Sequence, residues 1–137
     1  MRYLAETSVW NRGQHPEIRS RWEELILRDE IVVCDQVVLE VLFSAQSAKE
    51  YDQAAINFSG FSNAAIDAGV FRRALVVQQR LAHSGGLHHR SVTIADLLIA
   101  AAAESFGVTV LHYDEDFDRI AAITGQHTEW VAKRGSL

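Results

Sequence analysis

Five acidic residues, Glu6, Glu40, Asp96, Asp114 and Asp116, each stand beside a hydrophobic segment whose end could carry them to a common place. Carboxylates gathered in this way suit a hard divalent cation. Magnesium and manganese take oxygen ligands, and a protein often supplies only a few, leaving the other positions to water and substrate phosphate. A cation there offsets the repulsion among the acids, polarises a phosphate, lowers the pKa of an attacking water and stabilises the leaving oxygen. The chemistry to expect from such a set is metal-assisted hydrolysis of a phosphate ester. Taken singly, the members have plainer readings. An aspartate at a helix start is commonly a cap, which applies to Asp96, Asp114 and Asp116. Glu40, among Val37, Val38, Val41 and Leu42, is equally readable as a glutamate on the rim of an apolar helix. The set is informative where its members are not.

Other reactive residue types form no comparable constellation. His83, His88, His89, His112 and His127 lack the i, i+4 spacing of a helical zinc site, and none is assigned as a catalytic base. Ser8 and Ser91 lie in no nucleophile elbow. Cys34 is alone, so it closes no intramolecular disulfide, and no zinc-finger spacing is present. Trp10, Trp22 and Trp130 read as core or interface residues rather than base-stacking platforms. Arg72, Arg73, Arg80 and Arg90 are candidate phosphate contacts, although arginines on helices are more often simply solvated.

Positioning the acids requires a particular frame. Three short β-favouring runs, Tyr3-Leu4-Ala5, Ile31-Val32-Val33-Cys34 and Val108-Thr109-Val110-Leu111, alternate with helical patterns. The helices are expected at Pro16 to Arg28, Gln36 to Gln46, two within Lys49 to His83, Thr93 to Phe106, and Phe117 to Ile123. The long stretch should break by a turn at Ser59 to Asn63, and Thr128 to Val131 could add an edge strand. Ser91 or Thr93 can cap the helix that carries Asp96 in its first turn, and Gly107 suits the left-handed position after its end. Alternating strands and helices imply a parallel sheet with helical crossovers. Ligands of such sheets sit beyond the carboxyl ends of the strands, where Glu6, Asp114 and Asp116 fall directly and Glu40 and Asp96 fall one helical turn away or less.

The chain has 137 residues, 48% of them hydrophobic, which suits one compact domain over 1–137 with one core. Pro16 is the only proline, and no repeat or low-complexity tract marks a linker. The start shows no signal-peptide pattern, and the longest apolar run, Leu97 to Ala103, is far short of the roughly 18 residues of a membrane span. A cytoplasmic protein without membrane association is therefore expected. The net charge of -5 argues against diffuse electrostatic capture of nucleic acid. It equals the charge of the five candidate acids, so the excess can be local.

Four segments in order resemble the motifs of the PIN-domain ribonucleases, most closely the VapC-type toxins of VapBC toxin–antitoxin pairs. They are Tyr3-Leu4-Ala5-Glu6-Thr7-Ser8, Val38-Leu39-Glu40-Val41, Arg90 through Ala101 around Asp96, and His112-Tyr113-Asp114-Glu115-Asp116-Phe117. The resemblance spans nearly the whole chain. It implies a three-layer α/β/α domain with a central, mostly parallel sheet, and Mg²⁺- or Mn²⁺-dependent endonucleolytic cleavage of RNA. It further implies a VapB-like antitoxin as partner, a homodimer, and DNA association only through the antitoxin. Carried onto this chain, Glu6, Glu40, Asp96 and Asp116 would line the metal site with Asp114 close by, and Thr7 or Ser8 and Ser91 would orient carboxylates. Asp118 is a poorer candidate, nearer the helix surface. An antitoxin groove is expected along Pro16 to Arg28 and Gln36 to Ala54, with Trp22, Leu25, Leu42 and Phe43 as anchors, although each reads equally well as core.

The chain departs from the family pattern at Glu6, where aspartate is usual. The extra methylene moves the carboxylate by up to about 1.5 Å on a fixed backbone. Misplacement near 1 Å can cost about a hundredfold in rate. The alternative expectation is therefore an attenuated binding module that keeps the fold and the antitoxin surface. A magnesium-dependent phosphatase is a third reading, but no aspartyl-nucleophile motif is recognisable.

Overall fold

A computed structural model describes residues 1–137. Five parallel strands, β1 (Tyr3–Ala5), β2 (Ile31–Val33), β3 (Ser62–Asn63), β4 (Thr109–His112) and β5 (Thr128–Trp130), form one sheet in the order β3-β2-β1-β4-β5. Eight helices connect and cover it: α1 (Thr7–Trp10), α2 (Arg19–Leu27), α3 (Asp35–Phe43), α4 (Ala48–Phe58), α5 (Ala68–His83), α6 (His88–Ser91), α7 (Ile94–Phe106) and α8 (Asp116–Thr124). The parallel sheet with helical crossovers is the one expected from the alternating pattern, and its three-layer α/β/α architecture is the one the resemblance implies. None of the helices is long and apolar enough to cross a membrane.

The period-2 alternation of strand side chains divides the core between the two faces. Leu4, Val32 and Val110 point into the larger cluster, where they meet Val70, Ala74, Val77 and Leu81 of α5, Leu97 to Ala103 of α7, and Phe117 and Ile120 of α8. Tyr3, Ala5, Ile31 and Leu111 face the other way, onto Val9, Ile18, Trp22 and Leu25. A small third cluster joins Val33 to Leu42 and Phe58. Because strands buried on both faces have no polar side, the three central strands read as continuous apolar runs.

Local chemistry sets the helix ends. Thr93 caps α7 by accepting the amide N–H of Asp96 at 3.1 Å, and Gly107, at φ 84°, closes it in the left-handed region. Asp67 caps α5 through the Val70 amide at 2.9 Å. Other boundaries differ from expectation. The Ser59 to Asn63 break contains a strand, β3, which pairs Ser62 and Asn63 with Val32 and Val33, so a polar turn signal conceals an edge strand. Pro16 lies in a turn, and α2 begins at Arg19. The single-turn helices α1 and α6 are too short for a periodic signal.

Candidate active site

The acids gather at the carboxyl end of β1 and β4, the sheet centre. The Glu6 amide donates to the Leu111 carbonyl at 2.9 Å, the last rung of that ladder, and the chain then turns into α1 with Glu6 as its N-cap. Its Oε2 accepts from the Ser8 amide at 2.9 Å and from the Ser8 hydroxyl. Ser8 Oγ in turn accepts the Tyr113 amide N–H at 2.9 Å, which ties the first acid loop to the loop after β4. Within that second loop, Asp114 Oδ1 accepts the Asp116 amide at 2.9 Å, and the Asp114 amide donates to His112 Nδ1 at 3.2 Å. His112 is fully buried, and burial holds its pKa below the ordinary imidazole value, so the ring serves as a neutral acceptor.

Asp96 enters from the first turn of α7, and one carboxylate oxygen from each of Asp96, Asp114 and Asp116 lies within 4.8 Å of the others. Glu6 stands close enough to raise the Asp96 pKa but is outside this tightest group. Glu40 is the most peripheral. It is half-buried on α3, accepts from Gln36 Nε2 at 3.2 Å, and makes itself felt at Glu6 as a minor like charge.

The electrostatics are those of a crowded acid site. Burial pushes the Asp96 carboxyl up to about 7, with the Glu6 and Asp114 charges adding to the effect and the Thr93 hydrogen bond opposing it. Burial also raises Glu6, partly countered by Ser8, and raises Asp116, where the neighbouring Asp114 adds and Arg119 opposes. Arg119 Nη1 lies 2.5 Å from Asp116 Oδ1, and this is the one ion pair made by the converging acids. Asp96, 6% exposed, has no cationic partner. Converging oxygens, a deficit of positive charge and the absence of nitrogen or sulfur donors from the cluster fit a hard divalent cation.

Three secondary assignments change. Ser8 contacts a site carboxylate, but the Ser91 hydroxyl donates to the His88 carbonyl instead, and the capping hydroxyl near Asp96 is that of Thr93. Thr7 is buried with its hydroxyl unpartnered. Arg73 is not free for phosphate, because it forms a two-pronged pair with Glu104 at 2.7 and 3.2 Å, tying α5 to the far end of α7. Trp22, Leu25 and Leu42 are core residues, whereas Phe43 is 91% exposed, so only the last of the expected anchors is available to a partner. Arg119 was missed, although its spacing of three residues from Asp116 on one helix was a usable signal. The Ser8–Tyr113 link joins residues far apart in the chain and had no signal of that kind.

A sequence-family profile for the PIN domain matches residues 3–123. Ribonuclease VapC18 of Mycobacterium tuberculosis is 51% identical to the chain over 137 residues, with both chains covered completely, and Ribonuclease VapC51 of the same organism is 39% identical over 137 residues, covering 100% of this chain and 98% of its own. Among solved structures, VapBC2 from Rickettsia felis bound to a promoter DNA fragment superposes with a TM-score of 0.73 at 18% identity, covering 95% of this chain and 98% of that one. DNA-bound VapBC from Salmonella typhimurium gives 0.73 at 17% identity, covering 96% and 99%. With its full-length relatives, its four ordered motifs and its parallel sheet, this chain belongs to the PIN-domain family as a VapC-type ribonuclease.

Proposed function

We propose that the protein is the toxin of a toxin–antitoxin pair and hydrolyses RNA phosphodiester bonds with Mg²⁺ or Mn²⁺ held by Asp96, Asp114 and Asp116, with Glu6 and Glu40 completing the acidic pocket. The observation that carries this reading is the convergence of the three aspartate oxygens within 4.8 Å, at a place where burial and mutual repulsion would otherwise disfavour them. When bound, the cation supplies charge stabilisation to the phosphoryl group and activates water.

The chain's own residues provide the placement. Ser8 grips the Glu6 carboxylate and the Tyr113 backbone together, so that the loops after β1 and β4 form one unit. Glu6 uses Oε2 for its helix cap, and its charge is felt at Asp96, so the same side chain caps α1 and adds to the acidity of the pocket. Asp114 accepts the Asp116 amide and orders the turn in which both acids stand. Arg119 fixes the rotamer of Asp116 and compensates part of its charge. Asp96, lacking a counter-ion, is the acid that gains most from a cation.

The antitoxin is expected to cover the rim beside Glu40. Leu39 and Phe43 are exposed there at 62% and 91%, and with Thr7 and Glu40 they line a depression of about 360 Å³. Apolar side chains this exposed next to a site commonly mark an interface. The deciding experiment is cleavage of total cellular RNA by antitoxin-free protein in Mg²⁺ or Mn²⁺, beside EDTA and Asp96→Asn controls. Metal-dependent cleavage lost in the variant is expected; metal-independent cleavage indifferent to the substitution would overturn the site. Failure of both the parent protein and Glu6→Asp to cleave RNA would leave an antitoxin-binding module.

A further inference from the structure

Three arginines touch the loops that carry the acids, and two of them are already matched by carboxylates. Arg119 is shared between Asp116 and Glu115, and Arg134 is paired with Glu115. Arg12 makes no ion pair. It is nevertheless held in place. Its Nη1 donates to the Ser8 carbonyl at 3.0 Å, and its guanidinium carbon lies 4.9 Å from the centroid of the Tyr113 ring. The ring is a fixed support: the Tyr113 amide is bound to Ser8 Oγ, its hydroxyl accepts the Leu137 amide at 2.9 Å, and Trp130 packs edge-on with centroids 5.5 Å apart.

Arg12 is thus a half-buried, oriented cation hung on Ser8, the same residue that holds Glu6. A guanidinium offers five N–H donors and can engage a phosphate with two at once, and Arg12 spends one on Ser8. Capping the carbonyl of a single-turn helix would account for that one bond. It does not account for a charge left unpaired on an aromatic plate beside an acid cluster. A chain with net charge -5 cannot draw RNA in by its overall field, so the anionic backbone needs local, pre-oriented cations to lie against the acids.

We propose that Arg12, stacked on Tyr113, is a substrate-binding residue that grips a backbone phosphate of single-stranded RNA next to the scissile bond. The proposal rests on the ribonuclease reading and adds to it the residue that sets the strand's path. The strand leaves the acids over the β4–β5 side of the sheet, where Arg12, Tyr113 and Trp130 stand together. Rigid support lowers the ordering cost of the contact.

The test is binding of a short, fluorescein-labelled, unstructured RNA of mixed sequence to the Asp96→Asn protein, by anisotropy across a KCl series at fixed Mg²⁺. Arg12→Ala should weaken binding about tenfold and flatten the plot of log affinity against log salt by about 0.7, the contribution of one single-strand phosphate contact. Arg12→Lys, which keeps the charge and loses the fork, should restore the slope and part of the affinity. A purely structural role would lower the melting temperature without moving the slope, and the lysine variant covers the case in which the alanine variant does not fold. An unchanged slope and affinity in Arg12→Ala, with the parent protein active on total RNA, would overturn the role of Arg12 alone. A parent that neither binds nor cleaves RNA would overturn the ribonuclease reading and this proposal with it. Loss of antitoxin affinity with unaltered RNA binding would assign the arginine to the protein partner and also overturn it.

Discussion

Helix α7 carries a carboxylate near each end, and the two are treated in opposite ways. Glu104 is about a third exposed and is met by both prongs of Arg73. Asp96 is almost completely buried, faces Asp114 and Asp116, and has no cation. The first arrangement joins two helices at modest net gain, as partly exposed pairs do. The second costs stability, because an ionised carboxylate is withdrawn from water without a partner. Between them the chain runs through buried Leu97 to Ala103, whose four alanines, Ala100 to Ala103, are small enough for close packing in the core, so both ends are held by the same buried helix. Under the proposed function, the uncompensated acid is retained at that end of the helix because the metal chemistry needs it.

The contrast breaks most sharply at Asp96. Asp96→Asn is expected to reduce RNA cleavage by more than about a hundredfold, on the scale of losing a principal electrostatic group from an active site. The same change should stabilise the metal-free protein at pH 8 by about 2 to 4 kcal/mol, since it removes the buried charge. The sign follows from the raised carboxyl: its favourable contribution is fully present below the unfolded value near 4 and is lost as pH rises through about 7. Thermal melts of parent and variant at pH 5 and pH 8, in EDTA, read this directly; equal shifts at the two pH values would show that Asp96 is solvated. Mg²⁺ should raise the parent's melting temperature more at pH 8 than at pH 6, because cation and proton compete for the same oxygens.

Glu6→Asp sharpens the comparison at the neighbouring acid. It should raise the cleavage rate or lower the Mg²⁺ concentration needed for half-maximal rate by about tenfold, since a compact octahedral site tolerates little error in reach. An equal rate would mean that the Ser8-held cap already places the longer side chain correctly. The smallest effect belongs to the other end of α7. Arg73→Ala should cost roughly 1 kcal/mol or less in chemical denaturation and leave cleavage unchanged. A loss of activity there would show that the two ends of the helix are coupled.

Much of this contrast was legible before the structure. The strands at Tyr3, Ile31 and Val108, the helix bounded by Thr93 and Gly107, and the placement of Glu6 and the Asp114–Asp116 loop after strands all follow from alternation, caps and short apolar runs. Less legible were the roles of Trp22, Leu25 and Leu42, whose apolar character is equally consistent with core and interface; only packing separates them from exposed Leu39 and Phe43. The strand at Ser62 was hidden because an edge strand of two residues has no hydrophobic period of its own and exists through its pairing with β2.

The sequence by itself determined the three central strands, the longer helices, the ends of α7 and the acids available for chemistry, because these depend on side-chain period, capping and turn preferences within a few residues. Tertiary structure alone decided that Asp96, Asp114 and Asp116 converge while Glu40 stays at the margin, that Arg73 is committed to Glu104, and that Arg12 rests unpaired on Tyr113. Those relations join residues brought together by the order β3-β2-β1-β4-β5, and the energy of a charge is set by the neighbours and the water that this packing leaves around it.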